Sequence, residues 1–278
     1  MTDRALFIGI DAYKFSPLQG CVADAEALAK RVAFGWADDQ QTEKFKWGDM
    51  SICTDKRAHS EGFKSRLSWL GDGLKRGDRM VLTYSGHGFH VPVRNEDSYE
   101  VDGLIEGLCP VNWDPDDDDS WIIDVDFIDV LSSIPEGVNA VAFLDSCFGG
   151  GMANRGTPAD VVSRHYPIER IPDFMGRLEA AREKKVGIAS LIRSGGFPHV
   201  AFIEGCQEWQ TCSETTLGGT RRGVASYFME QVMAKRCNDP LEDVVSSLAD
   251  EIRAAGFQQV PRIVGPNEIL SVPFGTRL

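Results

Sequence analysis

Two apolar runs in this chain end in the same way, on a polar tip that carries glycines. Residues 79–84 (RMVLTY) lead into Ser85-Gly86-His87-Gly88, and residues 140–144 (AVAFL) lead into Asp145-Ser146-Cys147-Phe148-Gly149-Gly150. Short apolar runs without alternation read as strands buried on both faces, the habit of parallel sheets. Residues 122–134 between them carry a helical pattern and supply the crossover that parallel pairing requires. In an open parallel sheet, chemistry gathers beyond the carboxyl ends of the strands, so two adjacent strands of this kind bring His87 and Cys147 to one rim.

The rest of the chain extends the same alternation. Residues 5–10 (ALFIGI) predict a strand and 24–34 a helix; 50–54 (MSICT) predict a weaker strand, and 60–74 a helix with Phe63, Leu67, Leu70 and Leu74 on one face. After Gly151 comes a charged, irregular stretch with one helix expected at 176–185. Order resumes with a strand at 199–203, helices at 223–235 and 241–255, and a last strand at 262–264 or 269–272. The expected fold is α/β: a three-layer α/β/α sandwich with a mostly parallel six-stranded sheet. Three regions are expected: 1–150 with His87 and Cys147, a basic linker at 151–198, and 199–278 completing the sheet.

Composition narrows the partners. With 42% hydrophobic and 26% charged residues, the 278-residue chain can bury the core of one large domain or at most two small ones. A net charge of −13 repels phosphate backbones and anionic lipid, which argues against nucleic acid and membrane partners and favours cationic ones. The opening MTDRALFIGIDAY lacks a secretory apolar core, and seven cysteines without CxxC pairs suggest neither a disulfide framework nor a zinc site. A reducing, cytoplasmic setting is expected.

A thiol becomes a nucleophile when a base raises its thiolate fraction, and an imidazole is the usual partner near neutral pH. Flanking glycines let the backbone approach a substrate and leave amides for a developing oxyanion. Either residue alone is ordinary: a lone Cys at a strand end is commonly a small buried hydrophobe. The pair, YSGHG and then LDSCFGG, is not ordinary, and here the sequence resembles the caspase-like peptidases, metacaspases and their bacterial relatives in particular. The likeness starts at ALFIGIDAY and LQGCVADA, passes through SGHG, DGLIEGLCPVNW and FLDSCFGGG, and returns in FIEGCQEWQTCSE.

The resemblance implies a caspase-like sandwich, with 1–150 large-subunit-like and 199–278 small-subunit-like. It implies a cysteine endopeptidase in which His87 is the general base and Cys147 the nucleophile that forms a thioacyl intermediate. The backbone N–H groups of Gly88 and Cys147 would line the oxyanion hole, and Cys21, Asp24, Ser85 and Asp145 would shape an acidic primary pocket. Such a pocket selects arginine or lysine before the cut, arginine slightly ahead, because a carboxylate out of water pairs strongly with a guanidinium. The expected substrates are proteins or peptides with Arg or Lys before the cut.

The chain departs from the metacaspase pattern in Phe148-Gly149-Gly150, where many members have His-Ser-Gly. No cofactor is required by this chemistry, but many relatives need calcium, and Asp102, Asp124 and Asp126 are the expected ligands; Asn154 stands where relatives have an acidic residue. The Asp114-to-Asp119 run reads as a solvated loop without EF-hand spacing. Within the linker, Arg155, Arg164, Arg170, Arg177, Arg182, Lys184, Lys185 and Arg193 are candidate sites for activation of a zymogen, by self-cleavage or by an upstream protease or sensor. The chain is expected to be nearly all catalytic, any recruitment module lying on another polypeptide. Cys53, Cys109, Cys206, Cys212 and Cys237 read as buried small residues or as surface thiols without a task, and His59, His90, His165 and His199 as incidental.

Two other classes of function fit the same residues. A non-catalytic caspase-like adaptor or regulator predicts no loss of function on Cys147→Ala, and a cysteine amidase or transpeptidase predicts turnover of small non-peptide amides. A dinucleotide-binding domain fits poorly, since no GxGxxG follows the first strand.

Overall fold

The computed structural model describes residues 1–35, 44–92, 104–147, 160–166, 168, 197–207 and 209–278. In chain order the first elements are β1 (Asp3–Gly9), α1 (Cys21–Phe34), β2 (Met50–Thr54), α2 (Ser60–Gly71), β3 (Arg79–Ser85), β4 (Gly88–Pro92), β5 (Leu104–Leu108), β6 (Ile122–Ile123) and α3 (Asp124–Ser132). Then come β7 (Asn139–Asp145), β8 (Val162–Ser163), β9 (Val200–Glu204), β10 (Ser213–Leu217), β11 (Thr220–Gly223), α4 (Val224–Arg236), α5 (Leu241–Ala254), β12 (Arg262–Val264) and α6 (Asn267–Leu270).

The main sheet has six strands in the order β12-β9-β7-β3-β1-β2, all neighbours parallel except β12, which runs antiparallel to β9 at the edge. The apolar runs at β3, β7 and β9 are buried along their whole length, as continuous burial on both faces demands. On one face, Phe63, Leu67 and Leu70 of α2 pack with Phe127, Ile128 and Leu131 of α3. On the other, Leu28 and Val32 of α1 pack with Met229 and Val232 of α4 and Val244 and Leu248 of α5. Each such side chain contributes about 1.5–3 kcal/mol on full burial. The expected three-layer sandwich is the one observed.

Local expectations fare unevenly. The last strand is 262–264, whereas 269–272 begins within the short helix α6; Ile269 is buried by a helical turn. The 176–185 helix lies outside the described residues. Two three-stranded sheets flank the main one, β4-β5-β6 and β11-β10-β8, and β8 belongs to the stretch expected as linker.

The end of the sheet away from the His87 rim is closed by charge. Arg79, 1% exposed, donates to Asp3 at 2.7 and 3.3 Å and to the Gly275 carbonyl at 3.1 Å, and Arg277 donates to the same carboxylate at 2.9 and 3.0 Å. Burial alone would raise the Asp3 carboxyl, but the two guanidinium partners outweigh it and hold it below its ordinary value. Removing one side of such a cluster leaves the other uncompensated. Asp3→Ala should therefore destabilise by about 3 kcal/mol, lowering Tm by roughly 6–12 °C in a thermal melt. The wild-type margin over this variant should shrink as pH falls below the ordinary Asp value of about 3.9, because a depressed carboxyl stabilises only while ionised.

Candidate active site

β3 and β7 are neighbours, and their last register pair is Ser85 with Asp145. The chain leaves both strands at one rim, with His87 and Cys147 two residues beyond. Both side chains are fully buried. The loop after β1 folds over His87. The His87 N–H donates to the Tyr13 hydroxyl at 3.0 Å, the His87 carbonyl accepts from the Tyr84 hydroxyl at 2.8 Å, and the Tyr13 and His87 rings lie 4.8 Å apart.

His87 Nε2 is 2.7 Å from the Ser16 carbonyl oxygen. A carbonyl can only accept, so Nε2 carries the proton, and a neutral ring then has its lone pair at Nδ1. That atom is buried with no hydrogen-bond partner among the described residues. Burial holds the imidazole below its ordinary 6.5; the Ser16 carbonyl opposes this, and the Arg164 charge reinforces it. His87 is thus a neutral imidazole at pH 7.

The Cys147 sulfur accepts a short hydrogen bond from the Cys212 N–H and lies 3.4 Å from the Cys212 carbonyl oxygen, to which its S–H donates. Burial pushes the Cys147 thiol well above its ordinary value, with Cys206 adding to the rise, so this sulfur is a protonated thiol. Cys206 and Cys212 are buried, one of the two readings expected of them, and they lie next to Cys147. The turn between β9 and β10 folds both back onto Cys147, with the three sulfurs within 4.8 Å of one another. Cys53, Cys109 and Cys237 are simply buried.

The acidic pocket forms between β3, β7, α1 and β10, and it contains a cation from the same chain. Arg164, with its side chain fully buried, places Nη2 2.7 Å from Asp24 Oδ2 and Nη1 3.0 Å from Asp145 Oδ2, and Glu214 lies 3.5 Å away. Ser85 Oγ accepts from Nη1 at 2.8 Å. Burial works against the guanidinium charge, but Cys21, Asp145, Asp24 and Glu214 together outweigh it and keep Arg164 protonated. Asp24 is also held by the Gly223 N–H at 2.9 Å, and Asp145 by the Ser226 N–H at 2.9 Å and hydroxyl at 2.7 Å. Burial raises the Asp145 carboxyl, and Arg164 pulls it back. Gly223 must be glycine: a Cβ there would collide with both the Arg164 guanidinium and Asp145 Oδ2.

The sequence-predicted pocket residues Cys21, Asp24, Ser85 and Asp145 all meet here. Glu214 was missed, as were Gly223 and Ser226; the only signal for Glu214 was its place at the end of FIEGCQEWQTCSE. Of the candidate cleavage residues, Arg164 is the one among the described residues, and Arg155, Arg170, Arg177, Arg182, Lys184, Lys185 and Arg193 lie outside them.

The backbone of Arg164 is held as closely as its side chain. Its carbonyl oxygen accepts from the Gly88 N–H at 3.0 Å and faces the Cys147 N–H at 3.5 Å, and its N–H donates to the Cys212 carbonyl at 3.0 Å. Upstream, β8 adds to the edge of β10, with Ser163 opposite Ser213 and Val162 opposite Glu214. Downstream, the Tyr166 N–H donates to the Gly88 carbonyl at 2.9 Å. A peptide carbonyl on two amides, beside a buried base and a thiol, is an arrangement suited to acyl transfer. Gly88 permits it, since a Cβ there would strike the Cys147 carbonyl. His165, expected to be incidental, is next in the chain, and burial pushes it down to about 4.

The expected calcium ligands do not form a described site. Asp102 lies outside the described residues, as does the Asp124 side chain. Asp126 Oδ2 accepts the Ile123 N–H at 3.0 Å, capping α3, and Oδ1 lies 3.8 Å from Lys64 Nζ. The cap uses one carboxylate oxygen of Asp126 and leaves the other facing Lys64.

Residues 3–155 match the family model described as metacaspase, peptidase C14 domain. The chain is 27% identical to Metacaspase-3 of Trypanosoma cruzi (strain CL Brener) over 94% of its own length and 70% of the relative's, and 32% identical to Metacaspase-7 of Arabidopsis thaliana over 55% and 36%. A Geobacter sulfurreducens crystal structure superposes with a TM-score of 0.66 at 20% identity, each chain fully covered. Caspase-1 of Spodoptera frugiperda superposes with a TM-score of 0.54 at 11% identity, over 95% of this chain and 86% of that one, a likeness of fold. The chain belongs to the metacaspase, peptidase C14 family of cysteine endopeptidases.

Proposed function

We propose that this protein cleaves peptide bonds after arginine, and less readily after lysine, with Cys147 as nucleophile and His87 as base, and that its first substrate is its own Arg164–His165 bond. One observation carries this reading: residues 162–166 lie across the site as a substrate would, with the arginine side chain among three carboxylates and its carbonyl on the Gly88 and Cys147 amides. Extended binding of several residues supports a peptide substrate over a small amide.

The Cys147 sulfur leaves the Cys212 amide and attacks the arginine carbonyl carbon, and its proton passes to His87 Nδ1. Negative charge develops on the carbonyl oxygen, where the two amides stabilise it. As the C–N bond breaks, His87 returns the proton to the leaving amine, and a thioester remains on Cys147. Water, deprotonated by His87, then hydrolyses the thioester and restores the thiol. Lysine fills the same pocket with one ammonium in place of a planar fork, so it engages fewer of the acceptors. Calcium at Asp102, Asp124 and Asp126 enters no step of this scheme; peptidase activity with calcium against activity with chelator tests for it.

Fluorogenic peptides ending in Arg, Lys or Asp should be hydrolysed in that order. The Asp peptide should fall below Arg by about 10³-fold or more, since its carboxylate would face a like-charged buried pocket. Cys147→Ala should abolish turnover. Activity retained in Cys147→Ala, or a preference for Asp, would reject the assignment.

The intact mass of purified protein should resolve over time into fragments ending at Arg164 and beginning at His165, and Cys147→Ala should stay whole. Arg164→Ala should remain uncut while hydrolysing peptides without a lag, and Arg164→Lys should restore slow cutting. Fragments with other ends in every preparation would move the processing site elsewhere.

Because burial lowers the His87 value, the acid limb of kcat/KM should fall below the ordinary imidazole value of about 6.5. A limb centred above that value would exclude His87 as the base.

A further inference from the structure

The residues that follow the Arg164–His165 bond have partners of their own in the cleft. Gly88 brackets that bond, its N–H on the Arg164 carbonyl and its carbonyl on the Tyr166 N–H, so the chain continues along the cleft. His165 and Tyr166 meet different partners there. The His165 ring stacks on His90 at 5.4 Å, while the Tyr166 ring rests on Trp113 with centroids 4.4 Å apart and planes at 59°, and reaches the edge of His87 at 6.1 Å.

Trp113 does not depend on Tyr166 for its position. It is 4% exposed and lies 5.6 Å from Trp121 and 6.3 Å from Phe89, themselves fully buried and 4.8 Å apart. Trp121 is fixed in turn by its Nε1–H on the Asp114 carbonyl at 2.8 Å, and the Trp113 N–H closes a turn onto Pro110 at 2.9 Å. This is an aromatic platform continuous with the core, and Tyr166, in the segment that self-cleavage would release, packs on it. Aromatic rings prefer such tilted contacts, and a preformed platform selects at low entropic cost.

We propose that the cleft contains a subsite for an aromatic side chain at the second residue after the cut, with Trp113 as the residue that selects it. The substrate class is then a protein segment with arginine before the cut and tyrosine, phenylalanine or tryptophan two positions after it. This rests on the endopeptidase reading above and adds a requirement that reading does not contain.

The test uses the full chain and three internally quenched peptides: one copying residues 160–168, and two in which the tyrosine is replaced by phenylalanine or alanine. All three compete equally with the chain's own segment, so the ratio of their kcat/KM values is free of its occupancy. Tyrosine and phenylalanine should exceed alanine by roughly 3- to 10-fold. Trp113→Leu should bring that ratio close to one while leaving the Arg-over-Lys ratio unchanged, an effect that general damage to the fold would not produce; Trp113→Phe, the milder variant, should retain most of the preference. Equal cleavage of all three peptides by the wild type would overturn the subsite and leave the endopeptidase reading intact. No cleavage of any peptide, including ones ending in arginine, would overturn both.

Discussion

A guanidinium withdrawn entirely from water, with Asp24, Asp145 and Glu214 around it, is the interaction on which the whole rim depends. Burying one charge is costly unless partners replace its hydration, and here three carboxylates and the Ser85 hydroxyl do so. Two of the carboxylates have further cations: Arg222 pairs with Asp24, and Arg221 lies 3.3 Å from Glu214. Asp145 has only Arg164 as a cationic partner among the described residues, beside hydrogen bonds from Ser226. Taking Arg164 away leaves a site with one uncompensated negative charge in a cavity where burial already raises the Asp145 carboxyl. Such a site either takes up a proton or takes up another cation.

The sheet makes this possible through register. Ser85 and Asp145 are cross-strand partners at the last rung of β3 and β7, so hydroxyl and carboxylate arrive side by side, and the two backbones continue directly into the amides of Gly88 and Cys147. The pocket and the paired amides are therefore set by one pair of strand ends. β10 then supplies an edge for β8 and Glu214 for the pocket, and the fold thereby fixes both ends of residues 162–164. A rigid scaffold carrying its functional groups at strand ends is the usual solution for an open α/β sheet.

Those features differ in how far the sequence reveals them. β1, β3, β7 and β9 were legible because central parallel strands are apolar without interruption, and His87 and Cys147 because glycines mark both tips. Glu214 was not, because β10 (SETTL) is short and polar and becomes a strand only through β11 and β8. Nor does local pattern separate Arg164 from the other basic residues of its stretch; what singles it out is a set of contacts with residues 19 to 140 positions away. The neighbourhood of Cys206 and Cys212 is hidden for the same reason, since Cys147 is 65 residues from Cys212 in the chain. The choice between 262–264 and 269–272 as the last strand turned on a three-residue edge pairing too short for periodicity to register.

The state of the sulfur completes the physical account. Burial favours the neutral thiol, and the Cys212 N–H and carbonyl together satisfy it, so Cys147 in this arrangement rests against Cys212 and Cys206. The backbone carbonyl of Cys212 also receives the Arg164 N–H, so one residue touches both the thiol and the chain lying over it. The residue carrying that carbonyl is itself anchored by its Sγ on the Ser146 carbonyl at 3.2 Å. A chain that leaves the Cys212 carbonyl frees an acceptor for the next peptide N–H without disturbing this anchor. The chain across the cleft and the resting position of the thiol thus share one backbone group.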